Sequence, residues 1–195
     1  MKTLQLKLTG IRPLVMHNGL LADPTNPHTL AIKKICAKGS RKMTEADYRD
    51  RDKAEWLGGL YWSEELGGIA IPSDNIERCL QEGAKKSRLG KDFAAAVLVE
   101  ESEVAVDHRM KGKSREDMLD NPAYTLRKGV KVQLSRIIRI RPMIPTGWSM
   151  RFTVEYDDGI VNESAIIQAA KDAGSLVGLG DWRPKFGRFS VEVVR

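Results

Sequence analysis

Three observations predict an α+β fold built on an antiparallel sheet. Apolar and polar residues alternate at both ends of the chain and again at 148–156, the signature of half-buried strands. Apolar residues at 76–84 recur at helical spacing instead. Two long strand patterns follow one another with only a turn between them, as an antiparallel sheet requires.

Leu4, Leu6 and Leu8 alternate with Gln5 and Lys7, giving a first strand that residues 10–13 interrupt and 14–16 continue. Residues 17–27 are rich in Asn, Gly, Asp and Pro, hence a loop. A short helix with a basic face is expected at 29–37, broken by Gly39-Ser40. Thr44-Glu45-Ala46-Asp47 reads as a capping box opening a helix to about Leu57, with Gly58-Gly59 ending it. Short strands are expected at 60–62 and 69–71 around a Gly67-Gly68 turn, and Pro72, lacking an N–H, stops the pairing. Ser73 reads as the N-cap of the next helix, with Asp74 at the positive end of its dipole. Ile76, Cys79, Leu80 and Ala84 form that helix's apolar face.

Residues 93–99 read as a helix end leading into a strand, and 103–106 as a further strand. The polar stretch 107–126, with Gly112 and Pro122, is expected to be a flexible insertion or a β-hairpin thumb. Val130, Val132 and Leu134 alternate, and the strand is expected to run on to about Ile140, its other face showing Lys131, Gln133, Ser135, Arg139 and Arg141. Pro142, Pro145 and Gly147 make a turn. Trp148, Met150, Phe152, Val154 and Tyr156 give the cleanest period-2 run, ended by Asp157-Asp158-Gly159. Asn162 caps a helix carrying Ile166, Ile167 and Ala170, with Gly174 at its end. A glycine-rich loop at 178–187 precedes a last strand at Phe189, Val191 and Val193. This spacing suits a ferredoxin-like core in a single domain over 1–195, with insertions at about 18–58 and 107–128.

Composition narrows the function classes. With 42% hydrophobic and 30% charged residues the chain is globular in make-up, which excludes wholesale disorder and fibrous repeats. No apolar run reaches membrane-spanning length and no signal peptide is recognisable, so a cytoplasmic protein is expected. Cys36 and Cys79 lack ligand spacing, so small buried apolar residues are expected and no disulfide framework or metal site. Thirty-two Lys and Arg against 26 Asp and Glu give a net charge of +6, too modest by itself to identify a polyanion partner. Their distribution says more. Residues 125–154 and 24–44 contain no acid, whereas acids gather at 45–55, 100–107 and 155–172. The basic stretches carry Lys33, Lys34, Lys38, Arg41, Lys42, Lys131, Arg139 and Arg141, and a further cluster holds Arg183, Lys185 and Arg188. Converging on one groove, they would bind a phosphate backbone; the plain alternative is a solvated surface.

The glycine-rich loop adds a mechanism. Gly178, Gly180 and Gly187 permit positive φ and close backbone approach, so loop N–H groups can meet phosphate oxygens, with Arg183, Lys185 and Arg188 adding charge-assisted contacts. Trp182 or Phe186 either stacks on an unpaired base or plugs the end of the core. Arg139 and Arg141 on an outward strand face would suit a sheet that carries nucleic acid. No HExxH, P-loop, GxSxG or paired-carboxylate motif is present, and Asp157-Asp158 reads as a turn. Neither a cofactor nor an enzyme is expected.

Two segments carry a family resemblance. One is Ile69-Ala70-Ile71-Pro72-Ser73-Asp74-Asn75-Ile76-Glu77-Arg78-Cys79-Leu80, a strand ending in Ile-Pro and leading into an amphipathic helix. The other is Gly178-Leu179-Gly180-Asp181-Trp182-Arg183-Pro184-Lys185-Phe186-Gly187-Arg188-Phe189-Ser190-Val191, a glycine-rich basic loop closing on a strand. Together they resemble the RAMP superfamily, which includes the backbone subunits of CRISPR effector complexes. The resemblance implies a ferredoxin-like or modified RRM fold, an Ile-Pro strand-to-helix junction and a glycine-rich loop between the last helix and last strand. The chain departs from that pattern in Ser73-Asp74-Asn75 at the junction and in Asp181 and Trp182 in the loop. It also resembles uncharacterised phage-encoded proteins with a similar Gly-Leu-Gly-Asp-Trp-Arg-Pro tail.

The function expected from these features is non-catalytic, largely sequence-independent binding of single-stranded RNA or DNA, with copies of the chain assembling along the strand and 107–126 acting as a thumb. Two alternatives stand beside it. One is an endoribonuclease using His17, since the resemblance places a catalytic His near that point in RNA-processing relatives; some effector backbone subunits carry a cleaving Asp in an early loop, but the context of Asp23 here does not match theirs. The other alternative is a phage interaction protein that mimics or inhibits a host nucleoprotein complex.

Overall fold

The computed structural model describes residues 1–132 and 135–194. In chain order these form β1 (Lys2–Gly10), β2 (Leu14–Val15), α1 (Pro27–Cys36), α2 (Glu45–Gly59), β3 (Trp62–Ser63), β4 (Gly68–Pro72), α3 (Ser73–Ala84), α4 (Gly90–Ala96), β5 (Val97–Val99) and β6 (Glu103–Ala105). There follow α5 (Arg115–Leu119), β7 (Thr125–Val132), β8 (Ser135–Ile144), β9 (Ser149–Tyr156), α6 (Glu163–Asp172) and β10 (Phe189–Val194). The chain is α+β, with antiparallel sheets. No helix among the described residues is long and apolar enough to cross a membrane.

The chain divides into two compact units. The first comprises Met1–Leu14, Trp62–Gly112 and the chain from Pro145 onward. Its main sheet runs β10–β1–β9–β5, every neighbouring pair antiparallel. Alternation places Leu4, Leu6 and Leu8 of β1 opposite Val154, Phe152 and Met150 of β9, and all six are buried. The row extends to β5, where Val97 and Val99 lie opposite Tyr156 and Val154. Register is therefore fixed by burial, since a one-residue slip would expose every one of these side chains. Gln5, Lys7, Arg151 and Thr153 point to the other, more open face.

The two longest helices of this unit, α3 and α6, cross closely at Gly83, where a Cβ would overlap the Ala169 carbonyl oxygen. The apolar face of α3 is as the spacing predicts: Ile76, Cys79, Leu80 and Ala84 are at most 1% exposed. Its cap is not. Pro72 occupies the N-cap position without a side-chain bond, and Ser73 lies inside the helix, its N–H donating to Ser102 O at 2.9 Å. Asn162 caps α6 as expected, accepting from Ala165 N at 2.9 Å. Gly174 does not end that segment, which continues through a wider turn over residues 173–177 to Gly178. Gly174 is needed for contact instead, because a Cβ there would overlap Phe189 O. A smaller sheet runs β3–β4–β6.

The second unit comprises Val15–Tyr61 and Lys113–Ile144. Its sheet runs β2–β8–β7, with Val15 the β2 residue that belongs to this unit. The predicted capping box is formed: Thr44 Oγ1 accepts from Asp47 N at 3.3 Å, and Asp47 Oδ2 accepts from Thr44 N at 2.9 Å. Helix α2 ends at Gly59 with Leu60 extended beyond it, so the Gly58-Gly59 pair closes the helix as the sequence predicts. Gly59 also sits against the Pro142 ring and Gly58 against Leu21 and His28, so close packing needs the glycines as well.

Two expectations fail in this unit. The strand predicted from Val130 to Ile140 is two strands, β7 and β8, paired antiparallel with Thr125 opposite Pro142 and Lys131 opposite Arg136. Gln133 and Leu134, counted in that alternation, lie outside the described residues. The 107–126 segment is no hairpin: from Ser114 it forms the capped helix α5 and a 3₁₀ turn at Pro122–Tyr124, anchored by Met118 and Tyr124, which are 1% and 3% exposed. Trp56 Nε1 donates to Tyr124 O at 3.1 Å, fixing that turn to α2.

Candidate nucleic-acid interface

In the first unit the loop after α6 is held in place from within. The Gly178 N–H donates to Ala173 O at 2.7 Å, Leu179 N to Gly187 O at 2.9 Å, and Gly187 N to Pro13 O at 2.8 Å. Trp182 N donates to Asp181 Oδ1 and Phe186 N to Trp182 O. The positive φ values at Gly178, Gly180 and Gly187, +83°, +83° and +73°, thus serve the loop's own folding. Gly178 and Gly187 are buried, so they do not form the phosphate-facing backbone that the sequence suggests. Gly180 is half-buried and lines a cleft of about 540 Å³ with Trp182, Arg183, Lys86, Glu82 and Asp181.

Arg183 and Lys185 are exposed. Arg188 is half-buried, and its Nε donates to Pro184 O at 2.9 Å, so it braces the loop. Trp182 and Phe186 are both half-buried, their rings 6.3 Å apart and tilted by 48°. Lys85 and Arg78 pair with Glu82, at 2.7 and 2.8 Å, and hold its carboxyl below the usual range. Cys79, beneath the loop, has its thiol pushed up to about 12 by burial.

The remaining predicted cations belong to the second unit. Lys33, Lys34, Arg41, Lys42 and Lys131 are exposed. Lys38 is also exposed but forms an ion pair with Asp47 at 2.5 Å. The outward placement expected of Arg141 is wrong: it is 8% exposed, and its Nη1 donates to Glu55 Oε1 at 2.7 Å and to Ile140 O at 3.0 Å. Arg139 reaches the same Glu55 oxygen at 3.6 Å and remains partly exposed. The reason lies in α2, whose acids face the hairpin's bases: Asp52 pairs with Arg51 and Arg127, and Glu55 with Arg139 and Arg141. The charge segregation of the sequence is thus partly cancelled in space.

His17 is exposed, and its backbone carbonyl accepts from the Tyr61 hydroxyl at 3.2 Å. Asp23 accepts from the Thr25 N–H and hydroxyl, which lower its pKa. Cys36 is exposed, contrary to the buried placement expected of both cysteines; it lies in the last turn of α1, where only Thr29 is buried. Cys79 is buried. Among the described residues no group of three His, Cys, Asp or Glu is placed to hold a metal ion. Two further residues of the basic stretches come to notice only in the structure as places for contact: Lys86, which joins the loop cleft, and Arg151, on the open face of the main sheet.

No protein-family model matches the chain, and no curated protein matches it significantly.

Proposed function

We propose that the protein is a non-catalytic, largely sequence-independent binder of single-stranded nucleic acid, carried on a ferredoxin-like unit whose contact surface is the 178–188 loop. The strand order β10–β1–β9–β5, all antiparallel, with α3 between β1 and β5 and α6 between β9 and β10, supports the ferredoxin-like reading. The likeness to RAMP proteins gains support from two placements. Ile71-Pro72 opens the first core helix, and the glycine-rich loop joins the last core helix to the last strand.

The observation that carries the proposal is the pairing, within one loop, of exposed Arg183 and Lys185 with half-buried Trp182 and Phe186. Cations meet phosphates, and an aromatic ring face can stack on any base, which gives binding without sequence preference. Glu82 and Asp181 face Lys86 and Arg183 in the cleft, whereas Lys185 is exposed outside it; the backbone contact is assigned to the two exposed loop cations, Arg183 and Lys185. Assembly of copies along the strand is part of the proposal. The outer strand β10 has one neighbour among the described residues, leaving an edge to which another chain can add, whereas the outward N–H groups of β5 are taken by Phe93 O and Glu77 Oε1.

Titration of labelled single-stranded RNA and DNA at rising salt tests this reading. The expected result is saturable binding to unrelated sequences that weakens steadily with salt, because each phosphate contact releases counterions. Absent or salt-insensitive binding removes it.

A further inference from the structure

We propose that the second unit carries a separate site for a free mononucleotide, in the cleft between α1, α2 and β8. The cleft measures about 490 Å³, within the range of small-ligand sites and sufficient for one nucleotide. All its lining residues belong to the second unit, so it is independent of the loop at 178–188.

Charge selects the ligand's head. Lys33, Arg51, Arg139 and Arg141 line the cleft, with Glu55 as its one carboxylate; Arg51 is matched by Asp52 at 2.7 Å, so the charge that counts is that of Lys33 and of the two guanidiniums on Glu55. Arg139 and Arg141 both reach the same Glu55 oxygen, at 3.6 and 2.7 Å. One carboxylate cannot neutralise two guanidiniums, so the floor retains positive charge. Glu55 and Arg141 are 7% and 10% exposed at their side chains, whereas Arg139 is 42% exposed. The buried pair is thus a fixed base, and Arg139 is the arm that turns toward a ligand. A guanidinium fork matches phosphate oxygens in pairs, and Lys33 supplies a second, mobile charge from α1.

Shape selects the ligand's body. Leu21, Ile32, Ile137 and Ile138 supply the apolar part of the wall. The Thr29 hydroxyl is already bonded to Leu21 O at 3.0 Å. An apolar wall beside a cationic floor suits a flat ring bearing a phosphate. Inorganic phosphate would leave the apolar wall wet. A fatty carboxylate would offer a single charge to the two cations left unmatched, Lys33 and Arg139, and no flat ring to the wall.

Calorimetric titration of the full chain with AMP, CMP, GMP, UMP, inorganic phosphate and decanoate decides the matter. At least one mononucleotide is expected to bind one per chain, at least about tenfold more tightly than phosphate or decanoate. Arg139→Gln and Lys33→Gln, both at accessible side chains, are each expected to weaken it about tenfold. The loop variant Arg183→Ala/Lys185→Ala is expected to leave it unchanged. The proposal is overturned by the absence of saturable nucleotide binding, by phosphate or decanoate binding as tightly, or by Arg139→Gln and Lys33→Gln binding the nucleotide as tightly as the unaltered chain does.

Discussion

The Cys79 thiol donates to the Gly178 carbonyl oxygen at 3.3 Å, tying helix α3 to the first residue of the glycine-rich loop. Cys79 is 1% exposed, and burial raises its thiol to about 12, so the donor hydrogen is present at neutral pH. Cys79→Val leaves the buried Gly178 carbonyl without this donor. The expected loss is about 1–3 kcal/mol in chemical denaturation, and a result within error of zero would show that the contact is incidental.

Gly187 closes the loop from the other side. Its φ is +73°, and a Cβ there would overlap the Leu179 carbonyl oxygen, which is backbone and cannot swing aside. Gly187→Ala is expected to cost about 3 kcal/mol or more, combining left-handed strain with a clash. Gly112 has a similar φ of +81° with nothing within 4 Å, so Gly112→Ala isolates the conformational part, about 1–2 kcal/mol. Equal melting temperatures for the two variants would contradict the close-approach argument.

Glu55 anchors the second unit. Removing its charge by Glu55→Gln leaves Arg141 buried without its carboxylate partner, an imbalance expected to cost about 3–5 kcal/mol. Asp52→Asn should cost less, because its partners Arg51 and Arg127 are 21% and 54% exposed at their side chains against 10% for Arg141, so solvent compensates more. Urea denaturation of both variants measures the difference, and the opposite ranking would place the stabilising charge at Asp52.

Asp47 gives the stability an acid limb. Hydrogen bonds from Lys38 first, and then from the Thr44 backbone and hydroxyl, draw its carboxyl down from 3.8 to about 2. A folded pKa below the unfolded one means the contribution is full above about pH 4 and lost as pH falls toward 2. Asp47→Asn is therefore expected to lower the melting temperature at pH 6 and to flatten its decline between pH 4 and pH 2. An unchanged slope over that window would assign the acid sensitivity elsewhere.

Legibility followed how local each cause is. Strands β1 and β9 were readable because one face of each is buried and the other more open, and β10 because Phe189, Val191 and Val193 are less exposed than Ser190 and Glu192, so period 2 is written into the residues. The caps at Thr44 and Asn162 were readable because donor and acceptor lie within three residues. The break between β7 and β8 was not, since residues 133 and 134 include neither Gly nor Pro and the alternation on either side continues through them. Burial of Arg141 was equally hidden. Its partner Glu55 lies 86 residues earlier, and on β8 alone Arg139 and Arg141 look like one polar face. Gly174 misled for a related reason: its need is a close approach to Phe189, not a helix end. In the loop, the basic and aromatic residue types were evident, but not the internal hydrogen bonds that take up its backbone N–H groups.

The salt dependence of single-strand binding by Arg183→Ala/Lys185→Ala, compared with the unaltered chain, is the measurement closest to the proposed function. If these side chains contact phosphates, the variant binds more weakly, and the slope of log affinity against log salt falls by about 0.7 for each cation removed, with the melting temperature unchanged because both are exposed. Identical affinity and slope in the two proteins would show that the loop does not hold the strand.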